Sequence, residues 1–490
     1  MSSAVDGLGA AASRGAATTM LGQGGRIAIQ LVGVVLLSRT LDPSDFGLVA
    51  MVVAVVGVGE VFRDFGLTQA AVQAPHLSQQ QRSNLFWLNS LIGTLLSLFG
   101  FFMSWPIAVF FGEPRLVQLA QAISVTFILN GLGTQYRAHL ARNMRFGALA
   151  GVEVGSQAAG LAAGLIVAFL GGGYWALAVQ QIVAAGSATI PLLILTKWIP
   201  GLFRRGAGTM SFVKFGGYLV TAQLITYVSK NIDSVIIGSR LGASDLGYYN
   251  RAFQVLVMPL NQINAPSTRV ALPVLARLVD DRPRFDRFLL TGQTLLVHGV
   301  ALIFALAAAV AEPLLGILLG PGWGPAVPIF QILAISGVFQ AAAYATYWVF
   351  LANAATRSQL LWALSSRPVI IVAVLIGSIW GVSGVAWAYS ISNAIVWPLG
   401  LLWVARACGA PSKAMFFNGT RAVIGYSFAS VASLVIGSQF TTTWSQLAAG
   451  TGAFILSLAF ISLIWRQFRK DLLSLPVFVG KALRRRGSTR

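Results

Sequence analysis

The sequence is 490 residues long, with 56% hydrophobic and only 10% charged residues, whereas a soluble domain carries about 25% charged residues. This composition excludes a soluble globular protein and indicates an integral membrane protein with many spans. The 34 Lys and Arg residues outnumber the 14 Asp and Glu residues, which gives a formal net charge of +20. Because these cations lie in short connectors and near the C-terminus, they favour membrane topology, and we predict no nucleic-acid partner.

Fourteen stretches of the sequence are apolar enough to cross a membrane, since one span needs about 20 mostly apolar residues. We therefore predict an all-α polytopic membrane protein. The predicted spans are 16–38, 46–62, 83–104, 117–135, 150–170, 174–196, 215–237, 246–265, 289–311, 326–350, 360–379, 384–405, 422–437 and 446–465.

The positions of Lys and Arg predict the orientation of these spans, because cytoplasmic loops are enriched in both residues. With the N-terminus inside, only Arg39, Arg115 and Arg240 fall in outer connectors. An even number of spans then predicts that both termini are cytoplasmic.

One short segment occurs twice, at 36–47 and again at 236–247. In each copy an apolar run ends, a polar turn follows and a second apolar run begins, which predicts a chain built from two related halves. Asp45 and Asp245 are predicted to be the N-caps of the helices that follow. The residues shared by the two copies are Leu41 and Leu241, Ser44 and Ser244, Asp45 and Asp245, and Gly47 and Gly247.

The spans and connectors suggest a division into two helical bundles followed by two extra spans. Trp198 and Phe203, in the basic linker between the bundles, are predicted to lie at the lipid headgroups. The predicted regions are an N-terminal bundle at 1–196, a cytoplasmic linker at 197–214, a C-terminal bundle at 215–405, spans 13 and 14 within 406–465, and a basic cytoplasmic tail at 466–490.

Charged side chains within spans are informative, because insertion at that depth costs about 2.5–3.5 kcal/mol and such residues usually face a bundle interior or an aqueous cavity. Cations dominate at this depth, which favours an anionic ligand such as a phosphate or pyrophosphate headgroup. The predicted substrate-binding cations are Arg26, Arg63, Lys230 and Arg251. The carboxylates predicted to orient them, or to couple transport to ions, are Asp64 and Asp233.

Structural roles remain alternatives for the same groups. Lys230 and Asp233 lie one helical turn apart and can form a structural ion pair. Arg63 and Glu60 can form an interfacial pair at the end of a helix. His298 lies within span 9, where packing between helices is favoured over a proton relay.

The sequence contains none of the motifs expected of a membrane enzyme. It has no His-Glu-x-x-His, no Gly-x-Ser-x-Gly and no cluster of metal-ligating residues. The single cysteine, Cys408, excludes an internal disulfide and a cysteine-based metal site. We therefore predict a protein that is not an enzyme, with no catalytic residue, no metal and no cofactor.

Several short motifs follow one another along the chain in a specific order and spacing. They are Leu37–Leu41, Ser44–Gly47, Asp64–Leu67, Met144–Phe146, Gly172–Leu177, Asn231–Gly238, Asp245–Tyr249, Arg269–Pro273 and Gly322–Trp323. Together they resemble the motifs of the bacterial polysaccharide transporters, a branch of the multidrug/oligosaccharidyl-lipid/polysaccharide exporter superfamily that exports O-antigen, capsule and exopolysaccharide. One departure is Asp42-Pro43, where the second half has Gly242-Ala243.

This resemblance implies two bundles of helices around a central cavity that opens alternately to each side of the bacterial plasma membrane. The implied substrate is a polyprenyl-pyrophosphate-linked oligosaccharide, moved from the inner to the outer leaflet. The implied partners are this lipid-linked sugar, membrane lipids, and the polymerase and glycosyltransferases of glycan assembly.

Two other functions remain open from the sequence. An ion-coupled exporter of organic cations would belong to the same superfamily, but it requires an acidic cavity. A membrane scaffold for glycan assembly would transport nothing, and charge at span depth argues against it.

Overall fold

The computed structural model describes the backbone of residues 2–64, 77–204 and 210–475, and the side chains of 18–63, 77–204, 223–224 and 227–475. The side chain of Asp64, the remainder of the Asp64–Leu67 motif and residues 476–490 of the predicted tail lie outside the described residues. Within those ranges the backbone forms helices, short 3-10 turns and connectors, and no strand. The predicted all-α polytopic fold is confirmed.

The chain divides into two compact units, Met1–Gly247 and Tyr248–Arg490. The division of the sequence into bundles at 1–196 and 215–405 stays a prediction. The helices of the first unit are α1 Ser2–Thr40, α2 Pro43–Val56, α3 Val58–Asp64, α4 Gln79–Phe111, α5 Leu116–Arg142, α6 Phe146–Phe169, α7 Trp175–Thr196 and α8 Met210–Leu241.

Helix α9 begins in the first unit and continues into the second. The remaining helices all belong to the second unit, and the last of them precedes the undescribed end of the chain. They are α9 Ala243–Arg277, α10 Arg282–Ala309, α11 Ala311–Leu318, α12 Ala326–Ala352, α13 Thr356–Gly377, α14 Gly381–Cys408, α15 Ser412–Gly437, α16 Thr443–Ile464 and α17 at residues 466–475.

Ten helical segments of the described chain are long and apolar enough to cross a membrane, and one of them, Thr356–Cys408, contains both α13 and α14. Every predicted span overlaps a helix over most of its length. The second predicted span, 46–62, is interrupted at Gly57 and becomes the two shorter helices α2 and α3. The number of fourteen membrane crossings stays a prediction.

The start of α2 corrects the predicted role of Asp45. Asp42 is the N-cap, in an extended conformation, and Pro43 occupies the first helical position, where its missing N–H costs nothing. Asp45 lies one turn into the helix and its Oδ2 accepts the N–H of Asp42 at 3.1 Å. Asp245 likewise lies within the first turn of α9, which begins at Ala243. Both aspartates therefore lie inside their helices, and the prediction that they are N-caps was wrong.

The two units repeat one order of neighbouring helices. In the first unit α5 packs against α4 and α7, and α7 packs against α6. In the second unit α12 packs against α10 and α14, and α14 packs against α13. This repetition agrees with the two related halves predicted from the duplicated segment. In addition, α1 packs against α6, and α8 packs against α2 and α3.

Trp198 packs inside the first unit, so its predicted contact with the lipid headgroups is wrong, whereas Phe203 is exposed and its predicted place stays a prediction. Its ring lies edge-on to those of Phe86 and Tyr136, with centroids 6.1 and 5.6 Å away. The guanidinium of Arg82 lies 3.7 Å from the centre of the same ring, a cation–π contact. The residues that follow Trp198 in the chain contact α4, where the Trp87 indole N–H donates to the Gly201 carbonyl at 2.8 Å.

Candidate functional site

Arg26 forms an ion pair between two helices of the first unit. Its Nη1 donates to Glu153 Oε2 on α6 at 2.8 Å, and its Nη2 donates to Gln23 Oε1 at 2.6 Å. The Arg26 side chain is 42% exposed and that of Glu153 is 33% exposed. Gly22 lies against Ala150 and Gly25 against Val154, so the absence of side chains on this face lets α1 approach α6.

Arg63 is also paired with a carboxylate, within the short helix α3. Its Nη1 forms an ion pair with Glu60, one turn earlier. The side chain of Arg63 is 21% exposed and that of Glu60 is 41% exposed. Arg63 and Glu60 therefore form the ion pair at a helix end that the sequence analysis gave as an alternative to substrate binding.

Arg137 belongs to the same region, although it lies beyond the predicted span 117–135. Its charge lies within electrostatic range of Arg63, Glu60 and Glu153. Its Nη1 would lie 3.4 Å from a Cβ at Gly133, so the side chain runs back along α5 over that glycine. The helix α5 extends to Arg142, beyond the predicted span end at residue 135, and this extension is what places Arg137 beside the other charges.

We call these five residues the basic cluster: Arg26, Glu60, Arg63, Arg137 and Glu153, contributed by α1, α3, α5 and α6. The cluster contains three guanidinium groups and two carboxylates, so its net charge is positive. Guanidinium groups present several N–H donors in a fixed plane and bind phosphate oxygens in pairs. The two carboxylates fix the orientation of Arg26 and Arg63 through their ion pairs.

The other predicted site residues are placed differently. Asp233 is buried on α8 and accepts the N–H of Ser234 at 2.8 Å, whereas Lys230 is exposed one turn earlier. Arg251 lies on α9 in the second unit, 7% exposed, with its Nη1 donating to Gln254 Oε1 at 2.5 Å. Arg26 and Arg63 thus each pair with a carboxylate whose charge also acts on Arg137, whereas Lys230 and Asp233 lie in unlike surroundings.

A second group of polar side chains lies in the other unit, where α17 packs against α10 and α15. Asp471 Oδ2 accepts from Arg421 Nε at 3.0 Å and lies 3.7 Å from His298 Nε2. The His298 ring also contacts those of Tyr426 and Phe468. Phe468 is fully buried, so residues 466–475 of the predicted cytoplasmic tail form a helix docked on the second unit.

The fold and the site define a multi-span helical membrane protein that carries a net positive group of side chains on four helices of its first unit. The chain belongs to the polysaccharide biosynthesis protein family, which matches residues 36–328. The family resemblance expected from the sequence motifs is confirmed.

Two relatives cover most of this chain. The teichuronic acid biosynthesis protein TuaB of Bacillus subtilis (strain 168) is 28% identical over 379 residues, which is 76% of this chain and 78% of the relative. The succinoglycan biosynthesis transport protein ExoT of Rhizobium meliloti (strain 1021) is 27% identical over 449 residues, 90% of each chain. Among solved structures, the lipid II flippase MurJ in an inward closed conformation has a TM-score of 0.67 at 14% identity, covering 92% of this chain and 99% of that one. This likeness establishes the fold.

Proposed function

We propose that the protein is a transporter that moves a lipid-linked oligosaccharide or polysaccharide precursor from the inner to the outer leaflet of a bacterial plasma membrane by alternating access. Membership of the polysaccharide biosynthesis family supports this proposal, as does similarity to a relative named as a succinoglycan transport protein. The fold shared with a lipid II flippase agrees with it.

The basic cluster is the observation that carries the proposal. A lipid-linked sugar precursor has an anionic phosphate or pyrophosphate group next to its apolar tail. Arg26, Arg63 and Arg137 together offer more positive charge than Glu60 and Glu153 neutralise. In a partly dehydrated site such an excess attracts phosphate oxygens more strongly than it would in water.

Each residue of the cluster then has a separate role. Arg26 and Arg63 donate to the phosphate oxygens while Glu153 and Glu60 hold them in place. Arg137 supplies the charge that no carboxylate of the cluster balances. Lys230 and Arg251 are proposed as further cations along the path, and Asp64 and Asp233 as groups that orient them or couple transport to an ion.

The proposal also places the protein in its cellular setting. Both termini are cytoplasmic, as the distribution of Lys and Arg predicts. The substrate is a polyprenyl-pyrophosphate-linked oligosaccharide, supplied by glycosyltransferases on the cytoplasmic side and consumed by a glycan polymerase on the other.

Purified protein in phospholipid vesicles provides the direct test. A polyprenyl-pyrophosphate-linked oligosaccharide with a fluorescent sugar is incorporated, and its passage between leaflets is followed by quenching from outside. The proposal expects passage that depends on the protein. A rate equal to that of protein-free vesicles would overturn it, and added drug resistance conferred on a susceptible strain would favour an organic cation exporter instead.

A further inference from the structure

A cavity lies at one end of the second unit, between the ends of α10 and α15 and the starts of α11, α12 and α16. We call this cavity, of about 180 Å³, the outer pocket. With the N-terminus inside, the predicted spans 289–311 and 422–437 both run outward and end at the pocket, so it faces the outer side. Its polar lining comes from Glu312, Gln331, Ser438 and Gln446, and its apolar lining includes Pro313 and Leu434.

Close packing of three helices fixes one edge of the outer pocket. Gly437 and Val310 both line it, and both lie against Gly450 of α16. A Cβ added to Gly437 would lie 3.6 Å from the Gly450 Cα, and a Cβ added to Gly450 would lie 3.0 Å from the Val310 side chain. The Ser433 hydroxyl also donates to the Gly450 carbonyl at 2.7 Å. The small residues therefore hold α16 against α15 and α10, which gives the pocket a preformed wall.

Two glutamine side chains of the outer pocket have a fixed orientation. Gln331 Nε2 donates to the Ala308 carbonyl at 3.2 Å, and Gln446 Nε2 donates to the Phe440 carbonyl at 3.0 Å. Because a backbone carbonyl engages each amide nitrogen, the amide oxygen is an acceptor that remains for a ligand. Neither of these oxygens accepts a hydrogen bond from the described part of the chain.

The carboxylate of the outer pocket has no cation to balance it. By the repeated order of helices, the segment from α10 to α12 corresponds to the connector from α4 to α5 in the first unit. In that connector Arg115 bonds both oxygens of Glu113 at 2.7 and 3.0 Å. Glu312 forms no ion pair within residues 18–63, 77–204 and 227–475, and no residue lining the pocket is a Lys or Arg. The pocket is therefore negatively charged.

This lining matches the chemistry of a sugar ring. Ring hydroxyls both donate and accept hydrogen bonds, as carboxylate, amide and hydroxyl side chains placed together require. The C–H face of a pyranose is apolar and packs on a surface such as that of Pro313 and Leu434. A calcium ion, by comparison, needs several oxygens at about 2.3–2.6 Å and would fill only a small part of about 180 Å³. The charge of Glu312 disfavours a sugar that carries an acidic group.

We propose that the outer pocket binds one pyranose residue without an acidic group, a neutral or amino sugar of the transported oligosaccharide. Glu312, Gln331 and Gln446 bond its hydroxyls on the outer side of the membrane. The inference rests on the proposed transport for the source of the sugar, whereas binding is measured without transport. The basic cluster belongs to the first unit and the outer pocket to the second, so different residues meet the phosphate and the sugar.

Saturation-transfer NMR on the full chain tests the pocket. The protein is placed in lipid discs that contain no sugar-based detergent, and the probes are the methyl glycosides of glucose, galactose, mannose, glucosamine and glucuronic acid. At least one neutral or amino glycoside should receive saturation from the protein, and the glucuronide should receive much less. Absence of transfer to every neutral and amino glycoside would overturn the proposal.

Three variants show whether the signal comes from the outer pocket. Gln331→Leu should weaken binding of the glycoside about tenfold, through loss of its hydrogen bond. Glu312→Gln keeps the shape of an exposed side chain, so it tests the site even if Gln331→Leu does not fold, and it should raise the glucuronide signal. Glu113→Gln is the matched control in the other unit and should change neither signal. Unchanged binding in Gln331→Leu and Glu312→Gln, or equal loss in Glu113→Gln, would reject the pocket.

Two further measurements separate this site from the proposed transport and from a cation site. Glycoside binding without passage of the fluorescent lipid-linked oligosaccharide in vesicles would reject transport and keep the sugar site. Passage without glycoside binding would keep transport and reject the sugar site. Thermal stabilisation by Na⁺ or Ca²⁺ that Glu312→Gln abolishes, in a protein that gives no glycoside signal, would assign the pocket to a cation and overturn the proposal.

Discussion

Arg26 and Glu153 form an ion pair across 127 residues of sequence, with 2.8 Å between Nη1 and Oε2. The pair joins α1 to α6, and the charge of Glu153 also acts on Arg137. The carboxylate therefore orients a guanidinium whose remaining donors can meet a ligand. An ion pair exposed to this degree contributes little to folding stability. The more important consequence of the pair is that it fixes the orientation of the Arg26 guanidinium in the proposed anion site.

Replacing Arg26 with Ala should reduce transport more than it reduces stability. Loss of charge-assisted hydrogen bonds to a phosphate costs about 1.5–3 kcal/mol, which corresponds to about a 10- to 150-fold lower rate at limiting substrate. The measurement is the initial rate of passage in vesicles at several substrate concentrations, with thermal unfolding measured on the same protein.

Arg115→Ala is the control for this change, because Arg115 also pairs with a carboxylate but lies in a connector. Its Nε and Nη2 bond both oxygens of Glu113 at 2.7 and 3.0 Å, which holds the pKa of Glu113 below its ordinary value. This control should transport at the parent rate. Equal loss in both variants would remove Arg26 from the proposed site.

The transport rate should depend on the shape of the Arg137 side chain as well as on its charge. Arg137→Ala should lower the rate about tenfold, since the excess positive charge of the cluster is lost. Arg137→Lys keeps the charge but lacks the planar fork that binds two phosphate oxygens, so it should recover only part of the rate. A full rate in Arg137→Ala would show that the cluster functions without it.

The residues of the basic cluster show what sequence patterns reveal and what they leave hidden. Apolar length predicted the helices, and charge at span depth singled out Arg26 and Arg63. The partner of Arg26 is set by the packing of α1 on α6, which no local pattern encodes. Arg137 was missed because α5 remains helical past the point where its sequence stops being apolar.

Burial within the linker and the tail could not be predicted from the sequence for a related reason. Both segments are basic, yet Trp198 and Phe468 are each buried against aromatic rings of the same unit. An aromatic residue among charged ones gives the same sequence pattern whether its ring contacts lipid headgroups or the protein interior. The packing of the helices determines which of the two surroundings the ring has.

Trp198 should be important for stability, because it closes the aromatic group formed with Phe86 and Tyr136. Trp198→Ala leaves a cavity and should cost about 3 kcal/mol, whereas Trp198→Phe keeps a ring and should cost less. Thermal unfolding and protease cleavage within residues 199–204 measure the effect. If Trp198→Ala resists the protease as well as the parent does, the contacts of the linker with α4 are sufficient without the ring.

Asp471 should determine whether α17 stays docked on the second unit. Asp471→Asn removes the charge that meets Arg421 Nε at 3.0 Å, in a pair whose side chains are 18% and 9% exposed. Leaving a mostly buried guanidinium without its carboxylate should destabilise the docking by about 1–3 kcal/mol. Hydrogen exchange of residues 466–475, followed by mass spectrometry, should then become faster.

Arg284→Ala is the control for this change. It breaks an exposed pair with Asp281, with side chains 75% and 44% exposed, and should leave the exchange of residues 466–475 unchanged. Unaltered exchange in Asp471→Asn would mean that the burial of Phe468 between His298 and Tyr426 is enough to hold the helix.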